Sequence, residues 1–472
     1  MTYHSLVFPL FFAAAVLVFW LVPPKARGAV LLAAGILYMA SWGAASLGIL
    51  AAVTLLSWAF GRGLAAARTT AARRVFLVLG LLASAGYLFA RKAVPLFASG
   101  AVLVTATGLA FYALQAAAYI ADLYKGRCPV QKNLLCYAVY MSFFPRILSG
   151  PIGRPGEFFP QLEELCAGQR RCTPDRLRRG LTTMLGGWAE KLVISNILSD
   201  WVTPIFARWT ECSAPVVVMG AAGFALSLYF DFSGYSHLAL GAARVLGIDL
   251  PANFRRPFFA QSMGEFWQRW HISLSGWLRD YIYIPLGGSR RGTLRRMLNL
   301  LVTFVVSGLW HGSAWHYLFW GLLHALLQIG GLLTKPLRRP LAGRGGAVMV
   351  WVRRAFVFVC FALTLVFFGA DSLGQGAGML ARMVSGAPGL SPLDLGVTGT
   401  ELAFAALGLV VAFCLDLAAE KAEGQGSCLY DRFAALPGAV RTAALLVLAV
   451  TVLVFACRLI GGDAASFYYA QF

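Results

Sequence analysis

Residues 298–333 read LNLLVTFVVSGLWHGSAWHYLFWGLLHALLQIGGLL and contain no Asp, Glu, Lys or Arg. Such a run predicts helices that cross or enter a lipid bilayer. His311 lies near its middle, in the triplet Trp310-His311-Gly312. Because an ionisable side chain is costly at that depth, it usually marks a transport pathway or a reaction site. A histidine that only makes a hydrogen bond within a helix bundle is the alternative interpretation.

The composition extends this prediction to the whole chain. Of its 472 residues, 59% are hydrophobic and only 13% are charged, unlike an average soluble protein. With the two runs around His311 and shorter ones near Leu192, the apolar runs predict an all-α polytopic integral membrane protein with roughly ten to twelve membrane helices. The clear runs are Leu6–Val22, Ala29–Trp42, Leu47–Phe60, Val75–Ala90, Ala101–Ile120, Val216–Phe230, Ala355–Phe368, Leu402–Leu415 and Thr442–Cys457.

The positive charges favour a membrane topology over nucleic-acid binding. The net charge is +20, but the basic residues are spread over loops, as the positive-inside rule leads us to expect. Lys25, Arg27 and the arginines from Arg62 to Arg74 fall on one side of the predicted helices. We expect that side to be cytoplasmic and the N-terminus to be extracytoplasmic. A second cytoplasmic candidate is the block Lys335, Arg338, Arg339, Arg344, Arg353 and Arg354.

The chain is predicted to form a single domain, residues 1–472, since no long polar linker interrupts it. Residues 1–104 and 331–472 are apolar helices with few polar features, whereas 105–330 holds almost all the unusual chemistry. No P-loop, dinucleotide fingerprint or zinc-protease motif is present. No cysteine pair has metal-ligand spacing, and Cys166 with Cys172 is only a weak disulfide candidate. We therefore predict neither a bound metal nor a resident cofactor.

The arginine-rich stretch 255–296 predicts a helix that lies at the membrane interface or re-enters the bundle. Ser262-Met263-Gly264-Glu265 has the form of a capping box, and Glu265 can pair with Arg269 one turn later. Apolar residues recur from there at helical spacing, and His271 is predicted to face away from them. These apolar residues are Trp267, Trp270, Leu274 and Trp277. An ordinary helix on the membrane surface is the alternative.

The sequence also allows an estimate of how deep His311 lies. The arginines from Arg290 to Arg296 mark an interface, and the apolar helix begins near Leu298. At about 1.5 Å per residue, His311 lies roughly 20 Å further in, within a hydrocarbon core about 30 Å thick. Gly308 and Gly312 bracket it, and Ser313 is a candidate cap for the next helix. A helix broken at that depth must line protein or a water-filled cavity, which suits a buried base.

Several long stretches together resemble the membrane-bound O-acyltransferase family, and more narrowly its alginate-acetylating branch. The central ones are GEFWQRWHISLSGWLRDYIYIPLGGSRRG and SGLWHGSAWHYLFWGLLHA. Supporting stretches are GLAFYALQAAAYIADLYKG, SFFPRILSGPIGRPGEFFPQL, LYFDFSGYSHLALGAARVLGIDLPANFRRPF and the terminal FYYAQF. The resemblance covers about residues 105–330 and the chain end. Ser236-His237-Leu238 departs from the Ser-Asp-type pair expected there, which leaves the role of His237 open.

The resemblance implies transfer of an acyl group from a thioester donor to a hydroxyl acceptor. His311 matches the family's histidine that activates the acceptor hydroxyl, and His271 matches a second histidine that positions the acyl group or the acceptor. A hydroxyl is a weak nucleophile until a base takes its proton, and histidine suits that role near neutral pH. Candidates to orient the ring or stabilise an oxyanion are Ser307, Trp310, Trp315 and His316. For His316 and His324 we favour structural roles.

Three further residues are candidate substrate-binding or supporting groups. Asp231, in an aromatic setting, could bind substrate or pair with an arginine. Arg146 could contact the anionic donor or act as an interface anchor. Asn253, together with Arg256, could fix the interfacial helix.

The sequence therefore predicts a bacterial inner-membrane O-acyltransferase. The donor is expected to be acetyl-CoA or an acyl-carrier thioester on the cytoplasmic side, and the acceptor an alginate-like cell-envelope polysaccharide. Partners are the lipid bilayer and an extracytoplasmic transferase. Peptidoglycan acetylation is an alternative acceptor; D-alanylation of teichoic acid fits the YIPLGG stretch less well. A transporter or export scaffold that uses the histidines without catalysis is the competing class.

Overall fold

The computed structural model describes residues 5, 7–98, 104–338, 346–396, 398–425 and 429–458. Within these ranges the ordered elements are helices, and one isolated bridge joins Cys212 and Leu390. The prediction of an all-α protein is confirmed. His4, Arg339, Arg344 and the aromatic terminus 467–472 lie outside the described residues.

The helices follow one another with mostly short connections. In chain order they are α1 (Val7–Leu21), α2 (Arg27–Ala40), α3 (Ala44–Ala66), α4 (Thr70–Leu81), α5 (Tyr87–Phe97), α6 (Leu109–Tyr124), α7 (Leu134–Ser142), α8 (Pro155–Cys166), α9 (Pro174–Ala189), α10 (Asn196–Ala207), α11 (Ala214–Val245), α12 (Met263–Arg269), α13 (Ile272–Leu278), α14 (Thr293–His311), α15 (Trp315–Leu333), α16 (Lys335–Arg338), α17 (Gly346–Gly369), α18 (Leu373–Val384), α19 (Gly399–Gly424), α20 (Leu429–Ala434) and α21 (Gly438–Arg458). Single π-helical turns follow α4, α9 and α13, at Leu82–Gly86, Glu190–Ser195 and Arg279–Tyr283.

Seven helices in the described ranges are long and apolar enough to cross a membrane. They are Ala44–Ala66, Thr70–Phe97, Ala214–Val245, Trp315–Leu333, Gly346–Gly369, Gly399–Gly424 and Gly438–Cys457. The sequence predicted roughly ten to twelve. The difference arises because apolar runs such as Ala29–Trp42 and Ala101–Ile120 contain helices of only 14 and 16 residues, whereas a straight span needs about 20.

The long helix α11 lies inside the bundle, and its backbone touches that of α9. A Cβ atom added to Gly187 would lie 2.6 Å from the carbonyl oxygen of Gly234, and one added to Gly234 would lie 2.7 Å from that of Gly187. Small residues allow membrane helices to approach this closely. This contact fixes α11, which carries Asp231.

The contact predicts a difference between two adjacent glycines of α9. Gly187→Ala should destabilise the folded protein by about 1–3 kcal/mol, because the new methyl group cannot fit without moving a backbone. Gly186 has nothing within 4 Å of an added Cβ, so Gly186→Ala should be neutral or slightly stabilising. Thermal unfolding of both variants in detergent checks this. Equal unfolding temperatures would contradict the described packing.

The helix start that the sequence predicts in this segment is present, but the capping box is incomplete, because the Glu265 side chain bonds the amide of Gln261 and not that of Ser262. The Ser262 hydroxyl accepts a hydrogen bond of 3.2 Å from the amide of Glu265. The Glu265 carboxylate accepts one of 2.9 Å from the amide of Gln261. Glu265 and Arg269 form the expected ion pair at 2.7 Å. The buried tryptophans at 267, 270 and 277 place this segment inside the bundle, as in the re-entrant interpretation.

The segment is nevertheless not one continuous helix. It ends at Arg269 and begins again at Ile272, and between them His271 has a φ of +43°. The amide of Ile272 donates to the carbonyl of Asn253 at 2.9 Å, and the amide of Arg255 donates to the carbonyl of Arg269 at 2.9 Å. The prediction that His271 lies on this helix is therefore wrong, while its imidazole packs against Phe232 and Trp310, outside the apolar face of the segment. The neighbouring loop takes over the backbone hydrogen bonds and His271 is buried.

Candidate active site

His311 is the last residue of α14, and aromatic rings surround its imidazole. The residue is 3% exposed. The ring centroids of Trp310, Trp320 and Phe368 lie 4.7, 5.0 and 5.2 Å from the imidazole centroid, with the ring planes steeply inclined. Edge-to-face packing of this kind fixes the orientation of a ring. The imidazole is thus held in an apolar setting by contacts from α14, α15 and α17.

The helix ends at His311, and the next residue leaves the helical conformation. Gly312 is fully extended, with φ −165° and ψ 165°, and a Cβ atom there would lie 2.1 Å from the ring of Tyr317. The prediction that Ser313 caps α15 is wrong. Ala314 occupies the capping position without a side-chain hydrogen bond, so Ser313 lies one residue too early.

His271 is 1% exposed, and its environment selects one tautomer. Its Nδ1 lies 3.2 Å from Oδ1 of Asn253. That oxygen also accepts from the amide and the hydroxyl of Ser273, at 3.4 and 2.9 Å. Since an amide oxygen only accepts, Nδ1 of His271 must carry the proton. Nε2 then keeps its lone pair, and it is buried with no hydrogen-bond partner among the described residues.

Trp310 lies between the two histidines that the sequence singled out. Its ring centroid is 5.7 Å from that of His271 and 4.7 Å from that of His311. Its indole N–H donates to the carbonyl of Ala110 on α6 at 2.9 Å. The predicted catalytic pair is therefore brought together. Trp310 therefore packs between the two imidazoles. Its single N–H donor is already used by Ala110, so it has none left for a substrate.

The same arrangement continues on the other side of His311. The ring of Trp320 lies 5.0 Å from that of His311 and 4.7 Å from that of His324. Nε2 of His324 is 3.0 Å from the hydroxyl of Thr364, which itself donates to the carbonyl of Phe361. His324 consequently donates to Thr364, which ties α15 to α17 and agrees with a structural role. Three histidines and two tryptophans thus alternate through the centre of the protein; we call them the His–Trp row.

Asp231 is fully buried and forms an ion pair with Lys191 at 2.5 Å. Its partner is a lysine from the π-helical turn after α9, and the sequence had suggested an arginine. Such a pair links α11 to the preceding helices. A buried charge of this kind is costly if it loses its partner.

Lys191→Met is therefore expected to destabilise the protein by about 3–5 kcal/mol, since it leaves a buried carboxylate without its counter-charge. The measurement is the amount of folded, monodisperse protein recovered in detergent and its unfolding temperature. Combining Lys191→Met with Asp231→Leu should restore much of the loss, because both charges are then absent. A single variant as stable as wild type would show that the pair does not hold α11.

Arg146 is buried in the turn after α7, where its guanidinium stacks on aromatic rings. The centre of the guanidinium lies 4.3 Å from the ring of Phe158 and 4.8 Å from that of Tyr140. Nη2 donates to the carbonyl of Tyr140 at 2.7 Å. Nε has no hydrogen-bond partner among the described residues, and no described carboxylate lies within 4.0 Å. Arg146 therefore keeps an unused donor at Nε in a buried setting.

The other candidates divide between the row and its surroundings. Ser307 is buried one turn before His311, on the same side of α14. Trp315 is 52% exposed and contacts Phe97, so the structure does not bring it to the row.

His316 donates from Nδ1 to the carbonyl of Phe367 at 3.0 Å, which ties α15 to α17. His237 is half-exposed and pairs with Glu190 at 3.0 Å.

The sequence interpretation missed two buried lysines. One is Lys191, the partner of Asp231. The other is Lys92 on α5, whose Nζ donates to the carbonyl oxygen of His311 at 3.3 Å. A lysine inside a predicted membrane run, as at position 92, was a usable signal, because charges at that depth face the protein interior. The partners of these lysines are distant along the chain, and no local sequence pattern linked the lysines to them.

Chemically, the row offers imidazoles that can accept a proton in an environment shielded from bulk water. A base of this kind removes the proton of a hydroxyl as the hydroxyl attacks a carbonyl. Among the residues that the structure describes, no three His, Cys, Asp or Glu side chains are grouped so that they could hold a metal ion. That no resident cofactor is bound stays a prediction.

Comparison with known proteins points to the same chemistry. Residues 129–370 match the membrane-bound O-acyltransferase family. The chain is 34% identical to a probable alginate O-acetylase, AlgI, of Pseudomonas fluorescens, over 88% of this chain and 81% of that protein. It is 28% identical to a peptidoglycan O-acetyltransferase of Helicobacter pylori, over 79% and 76% of the two chains. It is 29% identical to a teichoic acid D-alanyltransferase of Bacillus subtilis, over 48% and 58%.

All three relatives carry names of enzymes that transfer acyl groups, and the matched region contains both His271 and His311. The long apolar helices make the chain a multi-pass membrane protein. The chain therefore belongs to the membrane-bound O-acyltransferase family and is an O-acyltransferase.

Proposed function

We propose that this enzyme moves an acetyl group from a cytoplasmic thioester donor to hydroxyls of an alginate-like cell-envelope polysaccharide. The observation that carries the proposal is the placement of His271 and His311 on either side of Trp310, in the buried interior and at two breaks in helices. Support for acetyl comes from the relatives, since AlgI is named an alginate O-acetylase and the Helicobacter pylori protein a peptidoglycan O-acetyltransferase.

In the proposed reaction His311 is the general base. Its neutral imidazole takes the proton of the acceptor hydroxyl while the hydroxyl oxygen attacks the thioester carbonyl. The new C–O bond forms, the C–S bond breaks, and the proton passes to the departing thiolate. The thioester is already activated, so the reaction needs neither a metal ion nor a covalent enzyme intermediate. Donor and acceptor are thus both substrates, and no resident cofactor is proposed.

His271 and its neighbours would position the reacting groups. Asn253 fixes the tautomer of His271, so that Nε2 can accept a hydrogen bond from the acceptor or from a water molecule held beside it. Ser307 lies one turn before His311 and could donate to developing negative charge. Asp231 would contribute by fixing α11 through Lys191. Trp315 points outside the row and is left without a role in substrate binding.

Arg146 is proposed to hold an anionic part of the donor. Its guanidinium is buried, stacked between aromatic rings and unpaired with any described carboxylate. Guanidinium groups bind phosphate oxygens through two parallel hydrogen bonds. Both acetyl-CoA and the phosphopantetheine arm of a carrier protein present such oxygens. The two sources of donor are therefore both compatible with this residue.

We further propose that the enzyme lies in the bacterial inner membrane with its N-terminus outside, as the positions of the basic loops suggest. In the proposed relay the acceptor hydroxyl at His311 belongs to a separate extracytoplasmic transferase, which passes the acetyl group on to the polysaccharide. Peptidoglycan is the second candidate acceptor, because one relative is named a peptidoglycan O-acetyltransferase. D-alanyl transfer would use the same mechanism. A transporter or scaffold without catalysis is the competing class.

The test is the ester-linked acetate that mild base releases from isolated envelope fractions of the source cell. The intact strain, a deletion strain, and the deletion strain carrying the wild-type gene are compared. We expect acetate to fall in the exopolysaccharide fraction on deletion and to return with the gene. Loss confined to peptidoglycan would identify the second acceptor. Unchanged acetate in every fraction would refute acetylation and favour another acyl group or the transport class.

A further inference from the structure

A buried lysine from another membrane helix reaches the main chain of His311. Lys92 lies on α5, in the apolar span Thr70–Phe97, and is 4% exposed. Its Nζ donates to the carbonyl oxygen of His311 at 3.3 Å. The π-helical turn Leu82–Gly86 precedes it in the same span. One extra residue in a turn rotates the following helix by about 100°, which alters the face on which Lys92 lies.

The end of α14 is a place where such a cation is stabilising. The last carbonyl groups of a helix have no partner within the helix, and they carry the negative end of its dipole. Most helices expose these carbonyls to water. Here the helix stops at a buried residue, since Gly312 is extended and packed against Tyr317. The ammonium of Lys92 therefore caps α14 from outside the helix.

The same ammonium lies close to the imidazole that the proposed reaction uses as a base. A positive charge nearby disfavours protonation of an imidazole and so keeps it in the form that accepts a proton. The charged or titratable groups whose fields act on the imidazole of His311 are Lys92, His271 and His324. The acids on the neighbouring elements act on other groups: Asp371 on His316 and Tyr317, Asp122 on Arg127, and Asp280 on Arg154.

We propose that Lys92 is a positioning residue for acyl transfer: it caps the broken end of α14 and holds His311 in place as a neutral base. This inference rests on the proposed function. It assigns to an N-terminal helix, outside the segment that matches the family, a direct part in the site. It also gives a role to a buried charged residue in an apolar span.

Three substitutions of Lys92 separate its hydrogen bond to the end of α14 from its positive charge. Lys92→Arg keeps both, Lys92→Gln keeps a hydrogen-bond donor without the charge, and Lys92→Met removes both. Arg91→Met is the matched control, because it removes a positive charge from the neighbouring position of α5. Initial rates are measured in inside-out membrane vesicles, supplied with acetyl-CoA and with cytosol that contains any acyl carrier. Rates are normalised to folded protein and followed from pH 5.5 to 8.5.

Lys92→Gln and Lys92→Met should lower kcat about tenfold or more at pH 6.5 and change KM for acetyl-CoA less than twofold. The acid limb of their pH–rate profile should move upward by about one pH unit, because an uncharged residue no longer opposes protonation of the base. The acid limb of the pH–rate profile should lie at the wild-type pH for Lys92→Arg and for Arg91→Met. Profiles of Lys92→Gln and wild type that coincide would overturn the proposal. Wild-type vesicles no more active than His311→Gln vesicles would instead refute the proposed function.

Discussion

His311→Gln is expected to reduce envelope-bound acetate by about 100-fold or more in the complemented deletion strain. Glutamine has nearly the shape of the imidazole and can still make hydrogen bonds, but it cannot take a proton from a hydroxyl. General-base catalysis contributes about 10²- to 10⁴-fold to a rate, so the loss should fall in that range. The surrounding rings of Trp310, Trp320 and Phe368 should still pack, and the protein should fold.

The control for this prediction is His237→Gln. His237 is half-exposed and pairs with Glu190, away from the His–Trp row, so its replacement should leave acetate within about twofold of wild type. Folded protein is quantified in the same membranes for both variants. A His311→Gln strain that acetylates like wild type would refute the role of His311 as the base. Equal losses in both variants would show that the assay responds to any histidine change.

The second large effect is expected at Asn253, although this residue need not touch substrate. Asn253→Ala removes the oxygen that accepts from Nδ1 of His271. The imidazole can then adopt the other tautomer, in which Nε2 carries the proton and can no longer accept one. We expect transfer to fall about 10- to 100-fold, with His271→Ala at the upper end. The rate of transfer in membrane vesicles is the measurement.

Ser273→Ala is the matched control for Asn253→Ala. Ser273 donates to the same amide oxygen, so its loss perturbs the network while the contact of Asn253 with His271 remains. Activity should stay within about threefold of wild type. If Ser273→Ala and Asn253→Ala lost the same amount of activity, the tautomer argument would fail. The loss would then reflect general loosening of the break between α12 and α13.

The sequence was sufficient for the features that depend on one residue or one local pattern. Apolar runs predicted the helical membrane fold, because each run must satisfy its own backbone hydrogen bonds in lipid. A histidine in such a run marked His311. The capping by Ser262 and the pair Glu265–Arg269 follow from spacings of three and four residues, which a helix always brings together.

Features set by contacts between distant segments could not be predicted. At the break around His271 the backbone hydrogen bonds go to the carbonyl of Asn253 and come from the amide of Arg255, which a helical pattern of tryptophans does not reveal. Lys191 and Lys92 meet partners 40 and 219 residues away. Trp315 lies outside the row, just after the extended backbone at Gly312, where the ring of Tyr317 packs against the glycine. In each case tertiary packing overrides the local pattern.

The central claim is that His311 couples cleavage of a thioester to formation of an ester. The most direct measurement follows both events at once, in sealed inside-out vesicles given radiolabelled acetyl-CoA and cytosol. Free thiol is counted outside, and base-labile acetate is counted on polymer. Wild type should produce the two in equal amounts, and His311→Gln should produce about 100-fold less of both. Ester formation by His311→Gln at the wild-type rate would contradict the account.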